Sequence, residues 1–334
     1  MEFNYFLGID ISKETLDITM LNGYQKVNYW KIDNSENSIR NWLKTLMKQY
    51  SINAINTLIC MEHTGIYNAL LLEHFALKKL SIWLETSLRI KKSSGMQRGK
   101  NDKIDSFLIA QYAYDNKHKA RLWQAPREVI KQLKNLSVIR RRLINGLKQF
   151  QAAPKEQGTY SKKLERYSNQ FCKNSLAAMK KDLKAINEQI RSIIEADNYL
   201  IQLFKQVCSV DGVGPIIATE MIICTNEFKN FDDPKQFACY AGVAPFEHSS
   251  GKTIRGKTRV SHMANKTMKM LLHMGALAAV SMKGELRDYF NRKVIAGKNK
   301  MNVINAVRNK IIHRIFACVN ERRCYEKNYA KKLV

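Results

Sequence analysis

Short apolar runs separated by turn residues open the chain. Residues 5–10 (YFLGID) and 16–22 (LDITMLN) flank the turn-like ISKET, and VNYWKI at 27–32 adds an aromatic and β-branched run, which together predict a three-stranded meander. Asn34 or Ser35 is placed to cap a helix running through Gln49, in which Ile39, Trp42, Leu43 and Leu46 recur at helical spacing. TLICME at 57–62 reads as a buried strand, a helix at 68–80 follows, and SIWLE at 81–85 reads as another strand. The result is an α/β pattern whose mixed sheet needs helices on both faces. Trp30, Trp42, Trp83 and Trp123 all precede residue 124, as expected of a separate N-terminal core.

The period then changes. From residue 126 to 203 the pattern is helical, and Leu176, Met179, Leu183, Ile186, Ile190 and Ile193 advance by steps of three and four, a heptad-like seam. Pro154 and Gly158 are the expected turn between two antiparallel arms, which would form either an oligomerising coiled coil or a plain helical linker. Near Val207, VDGVGPIIATEMI sets two glycines and a proline before an apolar helix. This is either a helix-hairpin-helix-like turn whose backbone N–H groups approach a phosphate or a tight structural turn. Amphipathic helices are expected at 265–282 and 301–320. The predicted organisation is therefore an α/β domain at 1–125, a helical coiled-coil linker at 126–203 and a mostly α domain at 204–334.

Charge adds what the periodicity does not contain. Fifty-six Lys and Arg face 29 Asp and Glu in 334 residues, a net charge of +27, which points to a polyanionic partner. The excess is uneven: residues 1–85 carry net −1, 86–175 net +15, 176–245 net −2 and 246–334 net +15. Such alternation suits two folded units, each feeding a basic surface able to follow a phosphate backbone. Seven cysteines show no CxxC pair and no regular spacing, which argues against a zinc knuckle or disulfide framework and for a reducing cytoplasm. No apolar run is long enough for a membrane span, and MEFNYFLGIDISKE lacks the basic region of a signal peptide, so neither secretion nor insertion is expected.

Carboxylates supply the candidate chemistry. Asp10 ends the first strand and Glu62 the later run TLICME, so their side chains are expected to meet at neighbouring strand ends. In KNDKIDSFLIAQYA, Asp102 and Asp105 are three apart and share a helical face. Their repulsion is relieved either by a divalent cation or by the flanking Arg98, Lys100 and Lys103. Gathered together, Asp10, Glu62, Asp102 and Asp105 would offer hard oxygen ligands suited to Mg²⁺, and a pair of such ions could grip one phosphodiester.

The segments GIDISKETLDI, MEHTG, KNDKIDS, YAGVAP and SSGK resemble the DEDD transposases of the bacterial insertion sequence 110 family, and the resemblance covers nearly the whole chain. It implies an RNase H/RuvC-like N-terminal domain, a coiled coil and a C-terminal transposase domain, with Asp10, Glu62, Asp102 and Asp105 as the metal-binding acids. By chemistry alone the serines before Gly251 have no evident base, and turn capping or a phosphate hydrogen bond would be their role. The resemblance instead implies that Ser250, with Ser249 as the alternative, attacks DNA to form a phosphoserine link. It further implies a structured noncoding guide RNA as partner beside donor and target DNA, a homodimer or homotetramer, and action in the bacterial cytoplasm at the nucleoid. The competing expectations are a RuvC-like nuclease that uses water as nucleophile, and a noncatalytic nucleic-acid scaffold. His63, His248 and His262 are assigned no role, and Tyr240 is expected to pack in a core.

Overall fold

Side-chain alternation along the first strands decides what lies on each face of the N-terminal sheet. The computed structural model describes residues 3–63, 65–93, 101–250, 254–260 and 263–327, with backbone alone for 153, 155, 157, 247–250 and 254–259. The chain forms two compact units, residues 1–125 and 126–334. In the first, β1 (Tyr5–Ile11), β2 (Thr15–Asn22) and β3 (Gln25–Asp33) form an antiparallel meander. β4 (Thr57–Glu62) lies parallel to β1, and β5 (Ser81–Glu85) parallel to β4, giving the order β3-β2-β1-β4-β5.

Leu7, Ile9, Leu16, Ile18, Ile59, Met61 and Ile82 project from one face. They pack on Ile39, Trp42, Leu43 and Leu46 of α1 (Glu36–Tyr50) and on Leu71 and Phe75 of α2 (Ala69–Leu77). Ser35, rather than Asn34, caps α1 by accepting from Ser38 N. Phe6, Cys60 and Trp83 project from the opposite face. They meet Ile90 of α3 (Ser87–Ser93) and Ile109, Ala110 and Ala113 of α4 (Asp102–Asp115).

Gly8 explains how closely α4 lies on the sheet. A Cβ added there would stand 2.1 Å from Ala110 N and 2.2 Å from Ser106 O, so no side chain fits between β1 and α4. One turn before Ala110, the buried Ser106 hydroxyl shares a 2.8 Å hydrogen bond with Thr19 of β2. With these contacts fixed, the first turn of α4 falls over the C-terminal end of β1.

The second unit begins with α5 (Glu128–Gly158) and α6 (Lys162–Ala196). Arg140 Nε donates to Asn187 Oδ1 at 2.8 Å, Gly146 faces Met179 and Gly158 faces Glu165, so the two helices run antiparallel. The seam residues Leu176, Met179, Leu183, Ile186, Ile190 and Ile193 are half-buried. Pro154 does not mark the turn: it lies within α5, which continues to Gly158, and the chain reverses at 159–161 before Ser161 caps α6. Proline there removes one intrahelical N–H, and the flanking helix is long enough to absorb that loss.

The remaining helices are α7 (Asn198–Cys208), α8 (Pro215–Thr225), α9 (Pro234–Tyr240), α10 (Lys266–Ser281), α11 (Glu285–Ile295) and α12 (Lys300–Asn320). They surround a core that includes Phe237, Leu272, Ile311, Ile315 and Phe316. Between α9 and α10 stands a two-stranded hairpin, β6 (Pro245–Ser250) and β7 (Ile254–Val260). Arg127 ties the start of α5 to this body, with Nε donating to Glu227 at 2.9 Å and Nη1 to Asp197 at 2.7 Å. Burial pushes the Glu227 carboxyl upward, but hydrogen bonds from Arg127 and Lys229 outweigh it and hold the group below its ordinary value.

The glycine turn before α8 is tight for a packing reason. Gly212, at φ +84°, has no room for a Cβ, which would meet the Gly275 carbonyl at 2.3 Å and Ala279 Cβ at 2.7 Å. Gly214 is open, with nothing within 4 Å of its virtual Cβ.

Candidate active site

Three of the four expected acids converge. β1 delivers Asp10 at its C-terminal end on the α4 side of the sheet, and Asn101 starts α4 by accepting from Lys103 N. That cap puts Asp102 and Asp105 in the first helical turn, where the helix dipole favours negative charge. One carboxylate oxygen from each of Asp10, Asp102 and Asp105 lies within 4.8 Å of the others.

Glu62 ends the neighbouring strand β4 and stands outside that group of three. Its Oε2 accepts a 2.6 Å hydrogen bond from Ser87 Oγ, at the start of α3. Its charge nevertheless reaches Asp10, whose carboxyl is pushed up to about 6 by burial first, then by Asp105, Asp102, Glu62 and Asp17. Among the described residues no Lys or Arg forms an ion pair with Asp10, Asp102 or Asp105. Lys103 turns instead to the Tyr29 ring, 4.9 Å from its centroid, while Arg98 and Lys100 lie outside the described residues. Hard oxygen donors crowded together with no ion-pair partner among the described residues fit a divalent ion such as Mg²⁺.

Two buried acids on the same face escaped sequence reasoning. Asp17 pairs in register with Asp10, is 3% exposed, accepts from Tyr29 Oη and has Lys31 Nζ at 3.7 Å. Glu85 pairs in register with Glu62, is 5% exposed, and accepts from Tyr112 Oη at 3.2 Å and Arg89 at 3.3 Å. A carboxylate inside the apolar run LDITM, and one ending SIWLE as Glu62 ends TLICME, were the available signals.

Ser249 and Ser250 lie at the C-terminal end of β6, paired in register with Arg255 and Ile254 of β7; their side chains lie outside the described set. His248 shares the strand, whereas Lys252 and His262 fall outside the described residues. Tyr240 packs on Phe231 and Phe237, and its hydroxyl accepts from Asn265 Nδ2 at 2.8 Å. His63 is exposed beside Glu62. No helix among the described residues is long and apolar enough to cross a membrane.

Two family models match the chain. A DEDD transposase model of the IS110 type covers residues 7–153, and one described as Transposase IS116/IS110/IS902 family covers residues 205–291. The pilin gene-inverting protein of Moraxella lacunata is 22% identical over 326 residues, spanning 96% of this chain and 98% of its own length. Its namesake from Moraxella bovis is 22% identical over 328 residues, with the same coverage of both chains. The insertion element IS110 43.6 kDa protein of Streptomyces coelicolor is 26% identical over 153 residues, 46% of this chain and 36% of its own.

Proposed function

Because the chain belongs to the IS116/IS110/IS902 family of transposases, we propose that it cuts and rejoins DNA at its own mobile element with a serine nucleophile and a carboxylate-held metal centre. The observation that carries this reading is the convergence of Asp10, Asp102 and Asp105 with no basic side chain paired to them among the described residues. Asp10, Glu62, Asp102 and Asp105 would hold Mg²⁺, with Glu62 exchanging its Ser87 hydrogen bond for a place in the set. When bound, such ions supply Lewis-acid stabilisation of the phosphoryl and leaving oxygens.

Ser250, or Ser249 beside it, attacks the scissile phosphodiester. A bond forms from Oγ to phosphorus as the bond from that phosphorus to one sugar oxygen breaks; the serine hydroxyl loses its proton and the freed sugar oxygen gains one. Attack by a second sugar hydroxyl on the phosphoserine reverses the exchange and rejoins the strands. The resemblance to the insertion sequence 110 transposases implies a structured noncoding RNA as guide, and its backbone would be held on the two +15 segments. The half-buried seam of α6 suits a coiled coil, and a homodimer or homotetramer is the proposed assembly. The open face of Gly214, at the N-terminus of α8, suits a phosphate approached in the manner of a helix-hairpin-helix turn. The place of action is the bacterial cytoplasm, at the nucleoid.

The test is covalent trapping. Plasmid carrying the element, incubated with the protein, RNA transcribed from the element's noncoding flank and MgCl₂ and stopped with detergent, should yield a protein–DNA adduct that Ser250→Ala and Asp10→Asn both abolish. Cleavage retained by Ser250→Ala would assign the nucleophile to water. Loss of the adduct in Ser249→Ala, with Ser250→Ala active, would move the role by one residue.

A further inference from the structure

Arg308 of α12 is 6% exposed, yet it meets no carboxylate among the described residues. Its Nη2 lies 2.7 Å from His273 Nδ1 of α10, its Nη1 donates to Asn305 Oδ1 at 3.4 Å, and its Nε has no partner. A guanidinium offers donors only, so His273 accepts through Nδ1 and stays neutral with its proton on Nε2. Asn305 likewise accepts through Oδ1, which leaves its Nδ2 to donate to the Val243 carbonyl at 2.8 Å.

Val243 is fully buried and stands two residues before β6. The base of the hairpin is tied elsewhere by Asn265, whose backbone N–H donates to Tyr240 O at 2.8 Å and whose Nδ2 donates to Tyr240 Oη. Gly242, at φ +64°, closes against Ala264, where a Cβ would come within 2.4 Å of the Ala264 methyl. Among the hydrogen bonds of the described residues, the one from Asn305 thus ties α12 to the leg leading into β6, where Val243 also shares an apolar core with Ile304 and Val307.

Packing alone does not favour this arrangement. A buried cation facing neutral acceptors is harder to desolvate than an apolar side chain of the same length, and replacing such a charge is commonly neutral or stabilising. We propose that Arg308 is a positioning residue for the β6–β7 arm: it orients the Asn305 amide so that α12 holds the Val243 carbonyl, and with it the line along which β6 presents Ser250. The consequence for cleavage rests on the serine reading of the arm, whereas the consequence for the arm's order does not.

The experiment compares the full chain with Arg308→Met and Asn305→Ala, measuring Tm, amide hydrogen exchange by peptide, and covalent adduct on element-bearing plasmid with RNA from the element's noncoding flank and MgCl₂. Both variants should exchange roughly fivefold faster across residues 243–250, the change expected when one hydrogen bond to a buried carbonyl is lost. Arg308→Met should keep or raise Tm, and adduct formation should fall with the arm's order. Faster exchange at the arm with no adduct from any form, wild type included, would support the positioning role and remove the serine reading. Unchanged exchange in either variant would overturn the proposal. So would a fall in Tm with exchange rising throughout residues 126–327, which would assign Arg308 to core stability.

Discussion

Asp10 is held at a cost to the free chain. Burial and the neighbouring Asp105, Asp102, Glu62 and Asp17 push its carboxyl from 3.8 up to about 6, so the folded state prefers the neutral form. A raised carboxylate favours folding fully below its unfolded value and loses that contribution as pH rises through the folded value. The stability gap between wild type and Asp10→Asn should therefore be absent at about pH 3 and open between about pH 3 and 6. At pH 7.5 without metal the Asn variant should be the more stable by about 1 kcal/mol, a figure discounted for the solvent that reaches a half-buried group. Thermal denaturation in EDTA checks this, and a Tm that falls in Asp10→Asn at pH 7.5 would remove the strained-acid account. Added MgCl₂ should stabilise wild type and not the variant. At this scale the sequence was informative where spacing restricts geometry. Asp102 and Asp105 share a face through their i,i+3 interval alone, and Asp10 and Glu62 are marked by ending apolar strands. Asp17 and Glu85 were missed because their pairing with Tyr29, Lys31, Tyr112 and Arg89 depends on strand register and helix placement, which no local pattern encodes.

Among elements, the contact between β1 and α4 decides whether the acids meet. Only a residue without a Cβ lets the Ser106 carbonyl and Ala110 amide lie directly on the strand, so Gly8→Ala must lift α4 or bend β1. The expected cost is about 3 kcal/mol, at the upper end for overpacking because the obstacle is backbone rather than a mobile side chain. The same displacement carries Asp102 and Asp105 away from Asp10, so the variant should also lose most of its stabilisation by MgCl₂. Chemical denaturation with and without 10 mM MgCl₂ measures both effects, and wild-type values for both would show that α4 does not need this seat. The strands themselves were legible, since period-two alternation and β-branched content are local properties. The β6–β7 hairpin was not: PFEHSS and IRGKTRV are mostly polar and carry no apolar alternation that could reveal a strand. Pro154 misled for the opposite reason, since a strong local breaker was overridden by the long helix pair around it.

For the whole molecule, four tryptophans before residue 124 and the change from period two to period 3.6 after residue 125 were enough to anticipate an α/β unit followed by helices. Net charge then asks whether the two basic segments serve one nucleic acid or two. If one footprint covers both, phosphate contacts from each segment release counterions into the same equilibrium, and their contributions to the salt dependence add. Lys91 and Lys92 at the end of α3 and Lys298 and Lys300 before and at the start of α12 are exposed and sample the two segments. Replacing either pair with Gln should reduce the slope of log affinity against log salt by about 2, and replacing all four by about 4, for duplex DNA measured by fluorescence anisotropy. Slopes that fall for only one pair would confine the DNA to one segment, leaving the other for RNA. The same series read with a structured RNA in place of the duplex then shows directly which lysines change partner. A slope indifferent to all four substitutions would remove these faces from the footprint, and with them the inference that the charge excess is there to hold a phosphate backbone at both.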